Sequence, residues 1–295
     1  MKDIMTSKAG RSEKIEKVVT MGIPYGDALT LYRMYNKSPR REKGETFTYG
    51  VEIECFLNRA AVCEGLARKG VAYEWQGRYC HTNGNTDYKF KRDGSITRSR
   101  GITAGHEGIE CVSPVLKSSD RFRSLRKVCD TLLESGAQVN RSTGLHVHIG
   151  CTHLSERHLL NIYNNYHFLT LVFEKLFSPS RLHNNYARRL PAGVCACRSH
   201  EELDRCLGND RYWAVNPVAY YQHGTIEFRQ HQGTVNFEKI RMWVTILIKL
   251  VTWSKDHRMD SYPASAAEVD FLSAGEREYI ERRSREIRSL DRQTA

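Results

Sequence analysis

From residue 46 to 57 apolar and polar side chains alternate, with Val51, Ile53 and Cys55 on one parity, the period-two signature of a strand with one buried face. The same alternation at 71–79, 87–91, 108–112 and 144–150 predicts further strands. Between them the period lengthens to that of a helix. Asn58 as N-cap and Gly70 as stop bracket one helix. A stronger one, capped by Ser118 or Ser119 and ended by Gly136, gathers Phe122, Leu125, Val128, Cys129, Leu132 and Leu133 on one face. A long helix is expected from Ser155 to about Phe177, a short one from Ser199, and an amphipathic one from Asn236 to Trp253. The segments 213–222 and 225–230 flank His223-Gly224 and predict a hairpin. Helices at 12–20 and 26–36 lead to a basic run at 37–43, and one or two helices close the chain. The expected organisation is a helical extension (1–45), a core domain (46–254) and a C-terminal helical segment (255–295), with an α+β core on a mostly antiparallel sheet.

The polar positions of those strands change the picture. Glu52 and Glu54 share one face of the first strand, and His146 and His148 share one face of the 144–150 strand. Glu227 and Arg229 do the same in 225–230, and Glu110 sits between Ile109 and Cys111. A solvated sheet face would carry Thr, Lys, Ser and Gln instead. Glu52, Glu54, Glu110 and Glu227 brought together would repel strongly, so divalent cations are expected among them. Carboxylates with one or two histidines favour magnesium or manganese over zinc. Each motif alone is a weak signal; the agreement of four strands in phase is what argues against a merely wet face. No phosphate loop, Gly-x-Gly-x-x-Gly turn or Gly-x-Ser-x-Gly elbow accompanies them, so a bound nucleotide would be held by metal ions and arginines.

Composition narrows little. Of 295 residues, 40% are hydrophobic and 27% charged, as in ordinary globular proteins. The apolar run from Trp243 to Trp253 contains Lys249 and is too short for a membrane span, and residues 1–10 are polar, without a signal-peptide pattern; a cytoplasmic location is the expectation. Nine scattered cysteines do not form a disulfide framework. Cys195, Cys197, His200 and Cys206 read either as a small zinc site or as a loop with reduced thiols. A net charge of +11 favours anionic partners, nucleic acid included, although no nucleic-acid-binding motif is present.

Five segments stand out together: Tyr49-Gly-Val-Glu-Ile-Glu-Cys55, Arg92-Asp-Gly-Ser-Ile96, Gly108-Ile-Glu-Cys-Val-Ser-Pro114, Gly144-Leu-His-Val-His148 and Gly224-Thr-Ile-Glu-Phe-Arg-Gln230 with Gly233-Thr234. In this order they resemble the amidoligase family, a branch of the superfamily containing glutamine synthetase and γ-glutamylcysteine synthetase. The resemblance runs from about Phe47 to Trp253. It implies a funnel-shaped, partly open antiparallel sheet with helices on its outer face, and an ATP-dependent ligation of an acid to an amine. ATP and Mg2+ or Mn2+ would be the cofactors, and the acid and amine would be small molecules, peptides or carrier-linked. Carried over by position, Glu52, Glu54, Glu110, His146 and Glu227 look like metal ligands, with His148 beside them. Arg229 looks like the phosphate-neutralising arginine. Asp93 and Ser95 would line the substrate end, and Arg211 would clamp a phosphate or carboxylate. Two rivals start from the same residues: a metal-dependent hydrolase using His146 and His148, which would call for a repeated parallel β-α order, and a non-catalytic protein binding anionic ligands.

Overall fold

The computed structural model describes residues 47–76, 87–120 and 122–294, with 16, 17 and 19–21. Of the expected N-terminal helices, 12–20 is described only in part, as helix at 16, 17 and 19, and 26–36 lies outside the described residues, as do the basic run at 37–43 and the end of the 71–79 strand.

The hub is β1 (Thr48–Leu57). It pairs antiparallel with β4 (Glu107–Val112) and, at its first residues, with β5 (Leu116–Lys117) on one side, and with β6 (Gly144–Gly150) on the other. Beyond β4 lie β3 (Tyr88–Arg92) and β2 (Tyr73–Trp75), the parallel pair; beyond β6 lie β8 (Thr225–Gln232) and β7 (Val215–Asn216). One open sheet results, ordered β2-β3-β4-β1-β6-β8-β7.

Among the described residues from 47 on, polar caps set four of the eight α-helix starts. The side chain of Asn58 accepts from Ala61 N ahead of α1 (Arg59–Arg68). Ser155 does so for α3 (Glu156–Phe173), Ser199 for α5 (His200–Leu207) and Asn236 for α7 (Phe237–Trp253), all as the sequence predicts. The remaining helices are α2 (Arg123–Glu134), α4 (Pro179–Leu182), α6 (Val218–His223) and α8 (Ala274–Thr294).

Four expectations need correction. Ser118 and Ser119 do not cap α2: pairing of Leu116 and Lys117 with β1 is followed by a 3-10 turn, and α2 starts after Phe122, whose φ is +60°. Leu133, expected on its buried face, is 58% exposed. Of the segment 213–222 only Val215 and Asn216 form a strand, β7, antiparallel to β8, and a helix instead of a tight turn joins the two. Pro217 removes a ladder donor, Asn216 Oδ1 accepts from Val218 N, and the chain turns into α6, which ends at Gly224 with φ +66°. Finally α3 stops at Phe173, and a 3-10 turn replaces its expected last residues.

Helices α3 and α7 cover the apolar face of the sheet. Trp243 of α7 meets Phe173 and Phe177 edge-on at 5.3 and 5.2 Å, and Phe228 of β8 meets Tyr166 of α3 at 5.5 Å. Trimming a buried aromatic such as Trp243 to alanine costs about 3–5 kcal/mol. Opposite them, β8 carries a bulge: Val147 pairs with Phe228, but Leu145 pairs with His231. Gln230 and His231 consequently both reach the helix side, Gln230 accepting from Tyr166 Oη and His231 lying against Phe177 and Trp243. No helix among the described residues is long and apolar enough to cross a membrane.

Candidate metal centre

Strand register alone brings the acids and histidines together. Across β1, Glu52 lies opposite His146 on β6, and Glu54 lies opposite Glu110 on β4. His148 faces Glu227 across β6 and β8; Glu227 in turn faces Asn216 of β7, and Glu110 faces Lys91 of β3. Such directly paired side chains stand about 5 Å apart at Cβ. This face is not a wet one. Glu54, Glu110 and His146 are 5% exposed and Glu227 is 4% exposed, so the acids lie out of bulk water.

His146 is at the centre. Its Nδ1 lies 3.1 Å from Glu52 Oε2 and 3.6 Å from Glu227 Oε1, and its Nε2 lies 3.8 Å from Glu54 Oε1. His148 Nδ1 hydrogen-bonds Thr225 Oγ1 at 2.9 Å, which turns Nε2 toward Glu52 Oε1 (3.5 Å) and Glu227 Oε1 (3.9 Å). Glu227 is gripped by Arg229, its neighbour on the same strand face, and by Asn216 Nδ2. Gly144 N donates to Glu54 Oε2 at 2.6 Å. Lys91 Nζ is 2.7 Å from Glu110 Oε2.

These contacts set the charges. Burial works against ionisation of Glu52, but the imidazoles of His146 and His148 outweigh it and hold the carboxyl well below its usual range. Glu227 is also lowered: burial opposes its charge, and His148, Arg229 and His146 overcome it. Glu110 goes the other way, pushed well above its usual value by burial and by Glu52, with Lys91 compensating only in part. His148 is raised, because Glu52 and Glu227 outweigh its burial.

The donor set suits a divalent cation. Three groups of ligand atoms each lie within 4.8 Å of one another: Glu52, Glu110 and His146; Glu52, His148 and Glu227; and Glu54, Asp93 and Glu110. Five carboxylates serve these groups, and the cations beside them are Lys91, Arg229 and Arg181. The negative surplus calls for added positive charge. His148 Nε2, buried among the acids without a hydrogen-bond partner, has the character of a ligand held ready. Hard oxygen donors with two imidazoles suit Mg2+ or Mn2+. By contrast, no such group among the described residues includes a cysteine. His200 stacks on Tyr221 at 5.3 Å rather than joining Cys195, Cys197 and Cys206.

Most of the expected site residues meet here. Asp93 joins Glu54 and Glu110, and its Oδ1 accepts from both the backbone and the hydroxyl of Ser95, so Ser95 orients Asp93. Arg211 does not join them: it is exposed and lies over the ring of Tyr212 at 5.8 Å. Sequence reasoning missed Lys91, although its alternation with Tyr88 and Phe90 placed it on the polar face. It also missed Arg181, which comes from α4 in a loop-rich stretch with no periodic signal. Arg181 is 4% exposed; its guanidinium donates to Arg229 O at 2.6 Å and Gln230 O at 3.3 Å, clasping the bulge of β8. Burial lowers its pKa to about 10, with the charge of Glu54 pulling the other way. A Cβ at Gly144 would stand 3.0 Å from His146 Nε2, 3.4 Å from Arg181 and 3.5 Å from Glu54 Oε2, so only glycine leaves this cradle open.

A search of the curated proteins returns no match. Residues 45–251, which hold the sheet and nearly all of α7, match a protein family described as putative amidoligase enzyme. With the strand motifs inside that match and their side chains assembled on one sheet face, the chain belongs to the putative amidoligase enzyme family.

Proposed function

We propose that this ligase-family chain is an ATP-dependent carboxylate–amine ligase of the glutamine-synthetase type, acting through an acyl phosphate. One observation carries the reading: a buried sheet face where carboxylates and imidazoles from four strands converge with more negative charge than the nearby cations offset. Mg2+ or Mn2+ bound there would supply that charge and shield the phosphates of ATP. Glu52, Glu54, Glu110, His146 and Glu227 are the proposed ligands, with His148 and Arg229 toward the nucleotide and Asp93 and Ser95 toward the substrate. Arg211, exposed beside Tyr212, would reach only a nucleotide group at the surface.

The chemistry follows from these roles. An oxygen of the acid attacks the γ-phosphorus, an O–P bond forms and ADP leaves. The amine nitrogen then attacks the activated carbonyl, the C–O bond breaks, phosphate departs and the amine loses a proton. Arg229, already beside Glu227, neutralises developing phosphate charge, and the fixed sheet face holds the reactants in line. The mostly antiparallel sheet accords with a funnel-like architecture and not with the repeated parallel β-α order a barrel hydrolase needs.

The test is ADP release with ATP, Mg2+ and pooled acids and amines, read by mass spectrometry for condensation products lacking one water. A product mass supports the reading and names the substrates. Failure of Mg-ATP to bind, measured by calorimetry, would refute it.

A further inference from the structure

Beside Asp93 lies a cavity of about 290 Å³, lined by Phe56, Ile96, Arg92, Arg98, His106 and Glu107, with Gly94 and Gly108 at its wall. It adjoins the metal face through Asp93, whose carboxylate belongs to the group with Glu54 and Glu110. His106, which also lines it, is nine-tenths buried, and its Nδ1 has no hydrogen-bond partner. That nitrogen is sealed from solvent, so His106 forms the floor of the cavity and its charged neighbours supply the binding groups. The loop beside it is held firmly. Arg98 donates to the carbonyls of Ile102, Thr103 and His106, stapling the loop that carries it.

Two features define what fits. The volume is at the low end for ligand sites, the size of an amino acid rather than a nucleotide. The lining carries both signs: Asp93 and Glu107 against Arg92 and Arg98. Arg92 uses Nε and NH2 on Glu107, and Arg98 uses NH1 and NH2 on carbonyls, which leaves NH1 of Arg92 and Nε of Arg98 without partners among the described residues. We infer that this cavity binds a small zwitterion, an α-amino acid serving as the amine substrate, with its ammonium toward Asp93 and its carboxylate toward Arg92 and Arg98. The inference rests on the ligase reading for the word substrate; the binding site itself does not.

The experiment reads binding without turnover. Wild-type protein is titrated with the twenty common amino acids, and with ethanolamine as an amine lacking the carboxylate, by thermal shift and calorimetry, with and without Mg2+. Two variants accompany it: Arg92→Gln, and Gly94→Leu, which plugs a wall where an added Cβ meets nothing within 4 Å. At least one amino acid should bind and ethanolamine should bind more weakly. Affinity should fall about tenfold in Arg92→Gln, the loss of one charge-assisted hydrogen bond, and vanish in Gly94→Leu, with Mg2+ binding kept by both. No amino-acid binding to wild type, or equal binding by both variants, overturns the inference. If an amino acid binds and Mg-ATP does not, the ligase reading falls and the zwitterion site stands.

Discussion

Glutamine at position 110 should make the metal-free protein more stable and the metal-bound protein less so. The ligand oxygens of Glu52, Glu54 and Asp93 each come within 4.8 Å of that of Glu110. At an effective dielectric of 20, each such repulsion is worth about 3 kcal/mol, or about 10 for the three. The Lys91 ammonium, 2.7 Å away, returns about 6 kcal/mol on the same scale. That attraction is screened further because the Lys91 side chain is 34% exposed. The ionised form is thus disfavoured by about 4 kcal/mol before desolvation is added. The sign with pH follows. A carboxyl whose pKa is raised in the folded state keeps its full contribution below the ordinary value of 4.5, and loses it as pH rises toward the folded value. Glu110→Gln removes that loss, and Lys91 can turn to water at little cost. Thermal unfolding in EDTA at pH 8 should show the variant more stable by about 2–4 kcal/mol, a Tm shift of about 5–10 °C, and the gap should close at pH 4.5. Added Mg2+ should raise the wild-type Tm and move the variant far less. A variant that is less stable than wild type in EDTA at pH 8 would refute the claim that these acids are held against their mutual repulsion.

Three further outcomes follow from the same geometry. Glu54→Gln and His146→Ala should each abolish ADP release, and circular dichroism should show a native fold; wild-type turnover by both would overturn the site assignment. Gly144→Ala pushes a methyl to 3.0 Å from His146 Nε2, so Mg2+ affinity measured by calorimetry should drop at least tenfold. Burial lowers His231 to about 3, below its unfolded value of 6.5. Stability should therefore fall by about 1.4 kcal/mol per pH unit as pH drops from 6.5 toward 3. Urea titrations of His231→Phe, which keeps a ring against Trp243 and Phe177, should show a shallower acid slope.

The sheet face was legible in the sequence because strand parity is strict: Glu52, Glu54, His146, His148, Glu110 and Glu227 needed only period-two spacing to share a side. Helix starts were legible where a cap residue makes a local bond, as at Asn58, Ser155, Ser199 and Asn236. Prediction failed where a distant partner overrode a local pattern. Ser118 and Ser119 look like caps, but pairing of the preceding residues with β1 sets the exit angle of the chain. The residues after Asn216 include the strand-favouring Val218, Tyr220 and Tyr221, yet Pro217 and the Asn216 side chain start a helix. Arg181 and His106 were invisible for a different reason. Arg181 sits in the one-turn helix α4 and His106 in a loop, and the importance of each comes from what surrounds it in space, a strand bulge in one case and a cavity in the other.

The sheet ends in β2 and β7, strands of three and two residues. Free strand edges are templates on which a second chain can add, and their reach scales with length. Among the described residues the long strands β1 and β6 sit inside the sheet with strands on both sides, β7 covers only Glu227 and Phe228 of β8, and Pro217 blunts one outer rim. A core this rich in β-branched and aromatic side chains thereby keeps its most apolar strands, β1 and β6, out of reach of strand addition once it has folded. Among the described residues, a second chain that extended the sheet would meet its short end strands first.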